Sequence, residues 1–277
     1  MNYELIALDV DGTLVNSDQT VPSETIDALE QAQDAGMKVC LATGRSLVET
    51  LPVWRQLRIK TPCQPMVLIG GALVAEPDTG RTLYQKTIEP GLAGEYAKAL
   101  GGRGYSAMAI VDPWRHGLDY YLVKSDDADE VRTRWFSQMN VKVRYVSSLG
   151  TDGQTPEILR INAVAEPAAA EAMGLELAEQ FAGRLNIHSI VAPNYGITVV
   201  EAFAPATSKW AAVTYIAQSL RVPAGRIVAV GDDVNDLSMI RSAGLGVAMP
   251  WAPASVKASA KAVAEPDLAR FIRGLLS

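Results

Sequence analysis

Apolar runs alternate with helical patterns over the first part of the chain. Leu5–Leu8 has the pattern of a short buried strand, and a helix then begins at Ser23, its predicted N-cap, and ends before Gly36. Apolar runs at residues 38–42 and 66–69 predict the next two strands. This strand–helix–strand order predicts parallel pairing with right-handed crossovers. Because the strands are apolar throughout, we predict a parallel sheet that is covered on both faces.

The last part of the chain has the same alternation. Apolar residues at i, i+3, i+4 and i+7 predict a helix over residues 208–220. The residues that carry this spacing are Val213, Ile216, Ala217 and Leu220. Apolar runs at residues 226–230 and 246–249 then predict two more strands. The two ends of the chain therefore predict one α/β domain built on a parallel sheet.

The middle of the chain has a different pattern. Two apolar runs, residues 108–111 and 120–123, flank a turn-rich stretch and predict an antiparallel hairpin. The other patterns are strands at residues 158–161, 187–191 and 197–202 and an alanine-rich helix at residues 168–182. We therefore predict an α+β domain of residues 83–202, inserted into a parallel-sheet core of residues 1–82 and 203–277.

Composition narrows the class of protein. The chain has 277 residues, of which 48% are hydrophobic and 20% charged, as in ordinary globular proteins. Its net charge of -6 argues against nucleic-acid binding, which needs a positive surface. Two histidines without ligand spacing and two cysteines argue against a histidine metal centre and a disulfide framework. Without a signal-peptide or membrane-span pattern, we expect a cytoplasmic protein with no membrane partner.

Polar residues directly follow three of the predicted strands. In an open parallel sheet, ligands bind beyond the carboxyl ends of the strands. If the three strands are neighbours, their polar ends meet in one crevice, and this convergence is the main evidence for a functional site. The residues concerned are Asp9 and Asp11 after the first strand, Thr43, Gly44 and Arg45 after the second, and Asp232 and Asp233 after the strand at residues 226–230.

Asp9, Asp11 and Asp232 indicate a chemistry for this crevice. Neighbouring carboxylates repel each other and stay ionised together only when a cation or shifted pKa values relieve them. Oxygen ligands without histidine or cysteine favour Mg²⁺. A carboxylate beside Mg²⁺ can attack phosphorus, and we predict Asp9 as this nucleophile. Asp11 can protonate the leaving alcohol and then activate water, while Asp232 is the natural third carboxylate.

Groups that can bind a phosphoryl group surround these carboxylates. The backbone N–H groups of residues 10–13 and the hydroxyls of Thr13 and Thr43 can donate to phosphoryl oxygens. Lys209, at the start of a predicted helix, offers a fixed positive charge. Each feature alone has a common structural explanation, such as a solvated turn or a surface lysine. Their joint occurrence, each at a strand end or a helix start, predicts phosphoryl chemistry.

Four motifs in this order resemble those of the haloacid dehalogenase superfamily, in particular its Cof-type phosphatases. They are D-x-D-x-T at residues 9–13, Thr43 with Gly44 and Arg45, Lys209 before a helix, and G-D-x-x-N-D at residues 231–236. The resemblance covers nearly the whole chain. It implies a Rossmann-like core with an inserted α+β cap of the second class, subclass B. It also implies a small phosphorylated substrate, such as a sugar phosphate, and hydrolysis that depends on Mg²⁺.

The resemblance further implies a role for each motif residue. Asp9 would be the nucleophile and Asp11 the general acid and base. Asp9, the backbone carbonyl of Asp11, and Asp232 would bind Mg²⁺. Asp233 and Asp236 would lie just behind these ligands, with Asp236 orienting Lys209 or the metal. The phosphoryl group would be held by Val10, Thr13, Thr43, Gly44, Arg45, Lys209 and Asn235.

The chain departs from the family pattern at two turns. Relatives often carry Asn-Gly where this chain has Gly70-Gly71, and Gly-Asn-Ala where it has Pro250-Trp251-Ala252. The usual Asp-Gly-Val tail is also missing. We expect none of these departures to touch the phosphoryl machinery, and we expect them to affect the finer contacts with the substrate.

Three other functions fit the same motifs. A phosphomutase or other phosphotransferase would use the same aspartyl-phosphate. A receiver-like signalling module would also accept a phosphoryl group on an aspartate, although the long insert and Asp11 argue against it. A metal-dependent glycosyltransferase can carry Asp-x-Asp as a metal motif. The sequence names no substrate, and it leaves a monomer and a homodimer both open.

Overall fold

The chain divides into two units in the computed structural model, which describes residues 2–60, 64–123, 141–150, 156–192, 197–265 and 267–276. The core unit comprises Met1–Tyr84 and Ser208–Ser277. The inserted unit comprises Gln85–Thr207.

The core unit is built on a five-stranded sheet in which every strand pair is parallel. Its strands are β1 (Leu5–Leu8), β2 (Lys38–Leu41), β12 (Ile227–Gly231), β13 (Leu245–Ala248) and β14 (Ala262–Val263). The order is β14-β13-β12-β1-β2, so β1 is flanked by the two strands that end in the other polar motifs. Leu5 pairs with Lys38 on one side and with Ile227 on the other.

Helices and apolar side chains bury this sheet. The helices of the core unit are α1 (Ser23–Asp34), α2 (Leu47–Trp54), α6 (Lys209–Ser219), α7 (Leu237–Ser242), α8 (Ala254–Lys257) and α9 (Leu268–Gly274). Leu5 and Ala7 pack with Val213 of α6 in one buried cluster. Ile6 and Leu8 point to the opposite face and are equally buried, so both faces are covered, as predicted.

The apolar run at residues 66–69 forms a strand, as predicted, but this strand does not join the five-stranded parallel sheet. β3 (Met66–Leu68) pairs antiparallel with β4 (Leu73–Ala75), and β5 (Thr82–Gln85) completes a small three-stranded sheet. A parallel bridge between Ala42 and Val67 links β3 to the end of β2. The run turns back because Ile69, Gly70 and Gly71 all have positive φ, at 50°, 61° and 99°.

The predicted end of α1 is correct, whereas its predicted N-cap is wrong. Gly36 follows the helix at φ +93°, as predicted for a residue just past a C-terminus. Ser23 is the first helical residue and not the N-cap, because Pro22 occupies the cap position with extended ψ. The Ser23 hydroxyl donates to the Glu24 carboxylate instead of capping the helix.

The inserted unit contains a six-stranded sheet, and its helix-packed face forms a second core. In chain order its strands are β6 (Ala107–Val111), β7 (Tyr120–Val123), β8 (Val143–Val146), β9 (Ile158–Ala165), β10 (Asn186–Ala192) and β11 (Ile197–Phe203). The sheet order is β10-β11-β9-β6-β7-β8, and the described pairs are antiparallel except for β7 with β8. The predicted α/β fold with an inserted α+β element is therefore confirmed.

The described residues of the inserted unit include three helices. They are α3 (Pro90–Gly101), α4 (Pro113–His116) and α5 (Pro167–Gln180). Tyr96 of α3 and Leu177 of α5 pack in one buried cluster with Ile161 of β9. The predicted β6–β7 hairpin is antiparallel, and α4 fills its turn because Asp112 caps that helix through the N–H of Trp114 at 2.9 Å. None of the helices in the described ranges has both the length and the apolar character of a membrane span.

Candidate active site

Three buried charged side chains from distant parts of the chain meet at the carboxyl edge of the core sheet. Lys209, the first residue of α6, donates from Nζ to Asp9 Oδ1 and to Asp236 Oδ1, at 2.6 Å in each case. The helix begins here because the Ser208 hydroxyl accepts from the N–H of Ala211 at 3.1 Å. Each of the three charged side chains is at most 6% exposed, so the ammonium lies between two carboxylates away from water.

Asp236 uses both of its carboxylate oxygens. Oδ1 faces Lys209, and Oδ2 accepts from the backbone N–H groups of Asp232 at 3.0 Å and Asp233 at 3.1 Å. Asp233 itself accepts from the N–H of Val234 at 2.7 Å and caps the short 3₁₀ turn that follows. Asp236 therefore ties the loop after β12 to the start of α6.

The charge balance at this edge is negative. Burial and the carboxylate of Asp236 raise the pKa of Asp9 well above its usual value, although Lys209 opposes the shift. Burial lowers the pKa of Lys209, but the charges of Asp236 and Asp9 more than offset this and raise it above its ordinary value. Burial and Asp236 raise the pKa of Asp232 to about 7, against a hydrogen bond from Thr13. A further cation would stabilise the ionised carboxylates.

The carboxylates form a site suited to a divalent metal ion. One oxygen from each of Asp9, Asp232 and Asp236 lies within 4.8 Å of the others. Carboxylate oxygens are the ligands that hard divalent cations prefer. Because Lys209 and two backbone N–H groups already occupy the oxygens of Asp236, Asp9 and Asp232 are the better-placed ligands of the three.

The turn after β1 is shaped around Asp232. Gly12 has φ +74°, and a Cβ at this position would lie 2.2 Å from Asp232 Oδ2. The Thr13 hydroxyl donates to Asp232 Oδ1 at 3.1 Å. Val10 is fully buried, and its carbonyl accepts from the N–H of Leu14 at 3.0 Å. The Thr13 hydroxyl, predicted to face a phosphoryl group, is thus hydrogen-bonded to a carboxylate.

The end of β2 and the loop after β12 supply further predicted phosphoryl ligands. Thr43 is buried, its N–H donates to Val67 at 2.9 Å, and its Oγ1 accepts from the N–H of Arg45 at 3.1 Å. A Cβ at Gly44 would meet no atom within 4 Å, so open space adjoins this backbone. Asn235 has a buried Oδ1 without a hydrogen-bond partner, which a ligand or water could supply.

Arg45 is paired with the predicted general acid. Its Nε donates to Asp11 Oδ2 at 2.8 Å, while Nη2 donates to Asp11 Oδ1 and to Gln19 Oε1. Burial lowers the pKa of Arg45, but the hydrogen bond and charge of Asp11 outweigh it and raise the pKa above its usual value. Sequence reasoning gave Arg45 a place among the phosphoryl ligands and did not foresee Gln19. An isolated glutamine ten residues beyond the nucleophile carries no recognisable signal.

Both turns that depart from the family pattern approach the backbone beside this site, at Ser208 and Gly12. Neither residue is among the predicted phosphoryl or metal ligands, so our expectation that the departures leave those ligands untouched stays a prediction. A Cβ at Gly71 would lie 2.1 Å from the carbonyl oxygen of Ser208, immediately before Lys209. The indole N–H of Trp251 donates to the carbonyl of Gly12 at 2.7 Å, while the residue stays 62% exposed. These contacts join residues far apart in sequence, 239 positions in the second case, so motif spacing gives no sign of them.

A substitution at Gly71 tests its close approach to the start of α6. We expect Gly71→Ala to lower the free energy of unfolding by about 3 kcal/mol, because it combines positive-φ strain with a clash at Ser208. Gly36→Ala is the matched control, since its φ of +93° is similar and no atom lies within 4 Å. Gly36→Ala should lower the free energy of unfolding by about 1–2 kcal/mol. Equal losses in urea unfolding would show that the clash relaxes without cost.

Comparisons with known proteins identify the family. A family model described as haloacid dehalogenase-like hydrolase matches residues 6–267. The phosphatase YwpJ of Bacillus subtilis is 29% identical, over 99% of this chain and 100% of the relative. The 5-amino-6-(5-phospho-D-ribitylamino)uracil phosphatase YitU of the same organism is 28% identical, over 99% of this chain and 97% of the relative.

The fold agrees with this assignment. The solved structure of BT4131, described as a HAD subclass IIB sugar phosphatase, superposes with a TM-score of 0.77 at 21% identity, over 98% of both chains. The superposition covers the core sheet and the inserted six-stranded sheet alike. By its family match and its fold, the chain belongs to the haloacid dehalogenase-like hydrolases and is a Cof-type phosphatase with a subclass IIB cap.

Proposed function

We propose that this phosphatase depends on Mg²⁺ and hydrolyses small phosphomonoesters through an aspartyl-phosphate on Asp9. The observation that carries the proposal is the buried Asp9 carboxylate, hydrogen-bonded to Lys209 and within reach of Asp232 at the sheet edge. A carboxylate that is shielded from water and held by a fixed cation is suited to attack phosphorus. Its backbone is fixed as well, since the Asp9 N–H donates to Val230 of β12 at 3.0 Å.

Asp9, Asp232 and the backbone carbonyl of Asp11 would hold the Mg²⁺. This all-oxygen ligand set suits Mg²⁺, which retains several waters and shares oxygens of the substrate phosphate. When bound, Mg²⁺ supplies positive charge that screens the repulsion between a carboxylate and a phosphoryl group. The raised pKa values of Asp9 and Asp232 support a cation here, because these carboxylates resist ionisation without one.

Asp9 and Asp11 would divide the chemistry between them. In the first step an Asp9 oxygen forms a bond to phosphorus, the ester P–O bond breaks, and the Asp11 carboxyl gives its proton to the leaving alcohol oxygen. In the second step a water oxygen forms a bond to phosphorus, the Asp9 O–P bond breaks, and Asp11 takes the proton from water. The products are the alcohol and inorganic phosphate, and both carboxyl groups return to their starting states.

Donors around the nucleophile would hold the phosphoryl oxygens. Lys209 contributes a fixed charge. Asn235 would donate from its side-chain NH₂ group, since its buried Oδ1, which has no hydrogen-bond partner, can only accept. The remaining donors in this proposal are the backbone N–H groups of Val10, Thr13 and Gly44 and the hydroxyl of Thr43. Asp233 and Asp236 support this arrangement from behind through the contacts described above.

The relatives indicate only a broad class of substrate. YitU is named for a phosphoribityl compound and BT4131 for sugar phosphates, so related chains handle different small phosphate esters. We propose a sugar phosphate or a similar phosphorylated metabolite for this chain. Phosphate release from a panel of such metabolites, measured with Mg²⁺ and again after chelation with EDTA, tests the proposal.

The panel also separates the remaining alternatives. Multiple turnovers that require Mg²⁺ are the expected result. Isomerised substrate with little free phosphate would favour a phosphomutase or phosphotransferase. A single stoichiometric, long-lived phosphorylation would favour a signalling module, and turnover that persists after complete removal of divalent metal would exclude the proposed cofactor.

Replacing Asp11 tests the assignment of the general acid and base. We expect Asp11→Asn to lower kcat by about 10²–10⁴-fold, because the amide neither donates the proton nor accepts it. Mg²⁺ binding, measured by calorimetry, should be partly retained through the backbone carbonyl. Asp18→Asn in the same loop is the control, since Asp18 accepts from the N–H of Thr20 at 3.0 Å and takes no part in the proposed chemistry. An active Asp11→Asn enzyme would remove Asp11 from the mechanism.

A further inference from the structure

The Arg45 guanidinium grips the Asp11 carboxylate through two donors. Nε donates to Oδ2 at 2.8 Å and Nη2 donates to Oδ1, the paired geometry that makes arginine–carboxylate contacts orientation-specific. The arginine side chain is 15% exposed and the aspartate side chain 55% exposed. The arginine is therefore the sheltered partner, and the carboxylate at the surface takes its orientation from it.

Arg45 is itself held from the other side. Nη2 donates to Gln19 Oε1, and Nη1 lies 3.5 Å from the carbonyl oxygen of Glu49 in α2. The backbone of Gln19 is fixed in turn, because its carbonyl accepts from Gln56 Nε2 at 3.1 Å. Gln56 also accepts from the N–H of Val21 at 2.9 Å, so it clamps the loop on both sides of Thr20.

The backbone at Gln19 adds an independent indication. Its φ is +67°, a left-handed conformation that costs a non-glycine residue roughly 1–2 kcal/mol. Backbone strain of this kind persists where the surroundings hold it, and it is concentrated at functional sites. Here the strained residue is the one whose side chain reaches Arg45.

We infer that Arg45, held in place by Gln19, is a positioning residue that orients the Asp11 carboxylate for proton transfer. The inference rests on the proposed function, in which Asp11 protonates the leaving oxygen. A half-exposed carboxylate without a fixed partner would sample several rotamers, and proton transfer falls when the donor leaves hydrogen-bond reach of its acceptor. This role differs from phosphoryl binding, and the two can be separated by experiment.

Substrates with different leaving groups distinguish orientation of Asp11 from phosphoryl binding. An alkyl phosphate needs a proton on its leaving oxygen, whereas p-nitrophenyl phosphate releases a stable phenolate without one. The ratio of kcat/KM for these two substrates reports the acid step alone, since kcat/KM ends with departure of the leaving group. We expect Arg45→Ala to lower this ratio by about tenfold or more, and Arg45→Lys to lower it less, because lysine keeps the charge but not the paired donors.

Gln19→Gly provides a second variant that removes the acceptor and relieves the positive-φ strain, so it folds even if an Arg45 variant does not. It should shift the ratio in the same direction. Arg58→Ala is the matched control, because Arg58 is 61% exposed and pairs with Asp27 and Glu30 on α1. Its ratio should equal that of the unsubstituted enzyme.

Inhibition by inorganic phosphate completes the test. If Arg45 only positions Asp11, the inhibition constant for phosphate changes less than about twofold in Arg45→Ala. An unchanged substrate ratio, with equal losses on both esters and weaker inhibition by phosphate, would overturn the inference and make Arg45 a phosphoryl ligand. Failure of the unsubstituted enzyme to hydrolyse either ester would instead contradict the proposed function itself.

Discussion

Asp9→Asn is expected to abolish phosphate release while leaving the fold intact. The amide oxygen is a poor nucleophile toward phosphorus, so we expect kcat to fall by about 10⁴-fold or more. The substitution keeps the size of the side chain and an oxygen that can accept from Lys209. Because Asp236 still pairs with Lys209 and the repulsion between the two carboxylates is removed, the neutral amide should not lower the free energy of unfolding.

Two measurements make this expectation specific to a covalent mechanism. Acid-quenched reactions of the unsubstituted enzyme should contain a peptide that carries Asp9 and one added phosphoryl group, and this species should be missing from Asp9→Asn. Asp34→Asn is the control, because that carboxylate lies on the surface in an ion pair with Lys60. Near-normal, Mg²⁺-dependent turnover by Asp9→Asn would show that no aspartyl-phosphate forms on this residue.

The carboxyl edge of the sheet was predictable because parallel strands bring their ends together. Apolar runs that end in Asp9, in Thr43 and in Asp232 were enough to bring these three residues to one edge, once the order β12-β1-β2 put the strands side by side. For these three residues topology alone was enough, and no side-chain detail was required. Lys209 was predicted in another way, from its position at the start of a helix and from the order of the motifs, since its helix follows the inserted unit and not a strand of the core sheet.

The contacts that shape the site were not predictable in the same way. The pairing of Arg45 with Asp11 depends on a rotamer choice and on Gln19, which is held in a left-handed conformation that its residue type does not favour. The hydrogen bond from Trp251 to Gly12 joins two loops whose meeting follows from the whole fold. The turn at residues 69–71 diverted β3 into a hairpin, although its apolar run alone resembles another parallel strand.

Lys209→Met is expected to have the largest effect on stability. The Lys209 ammonium is 1% exposed and lies between the buried carboxylates of Asp9 and Asp236. Removing one partner from a buried ion pair leaves uncompensated charge, which typically costs about 3–5 kcal/mol. Because two carboxylates lose their partner here, we expect the metal-free enzyme to lose stability at the upper end of that range. Phosphate release should also be lost, since the same ammonium faces the nucleophile.

The comparison with an exposed lysine decides whether burial is the cause. Lys60→Met removes the surface ion pair with Asp34, in which the lysine is 45% exposed, and should cost less than about 1 kcal/mol in urea unfolding. Adding Asp236→Asn to Lys209→Met should recover part of the loss, because one of the two unpaired carboxylates is then neutral. Two results would show that Lys209 does not compensate two buried carboxylates. In the first, Lys209→Met lowers the free energy of unfolding no more than Lys60→Met does. In the second, Asp236→Asn lowers it by as much in the Lys209→Met enzyme as it does alone. The position of Lys209 between these carboxylates would then be explained by packing of its alkyl stem at the start of α6.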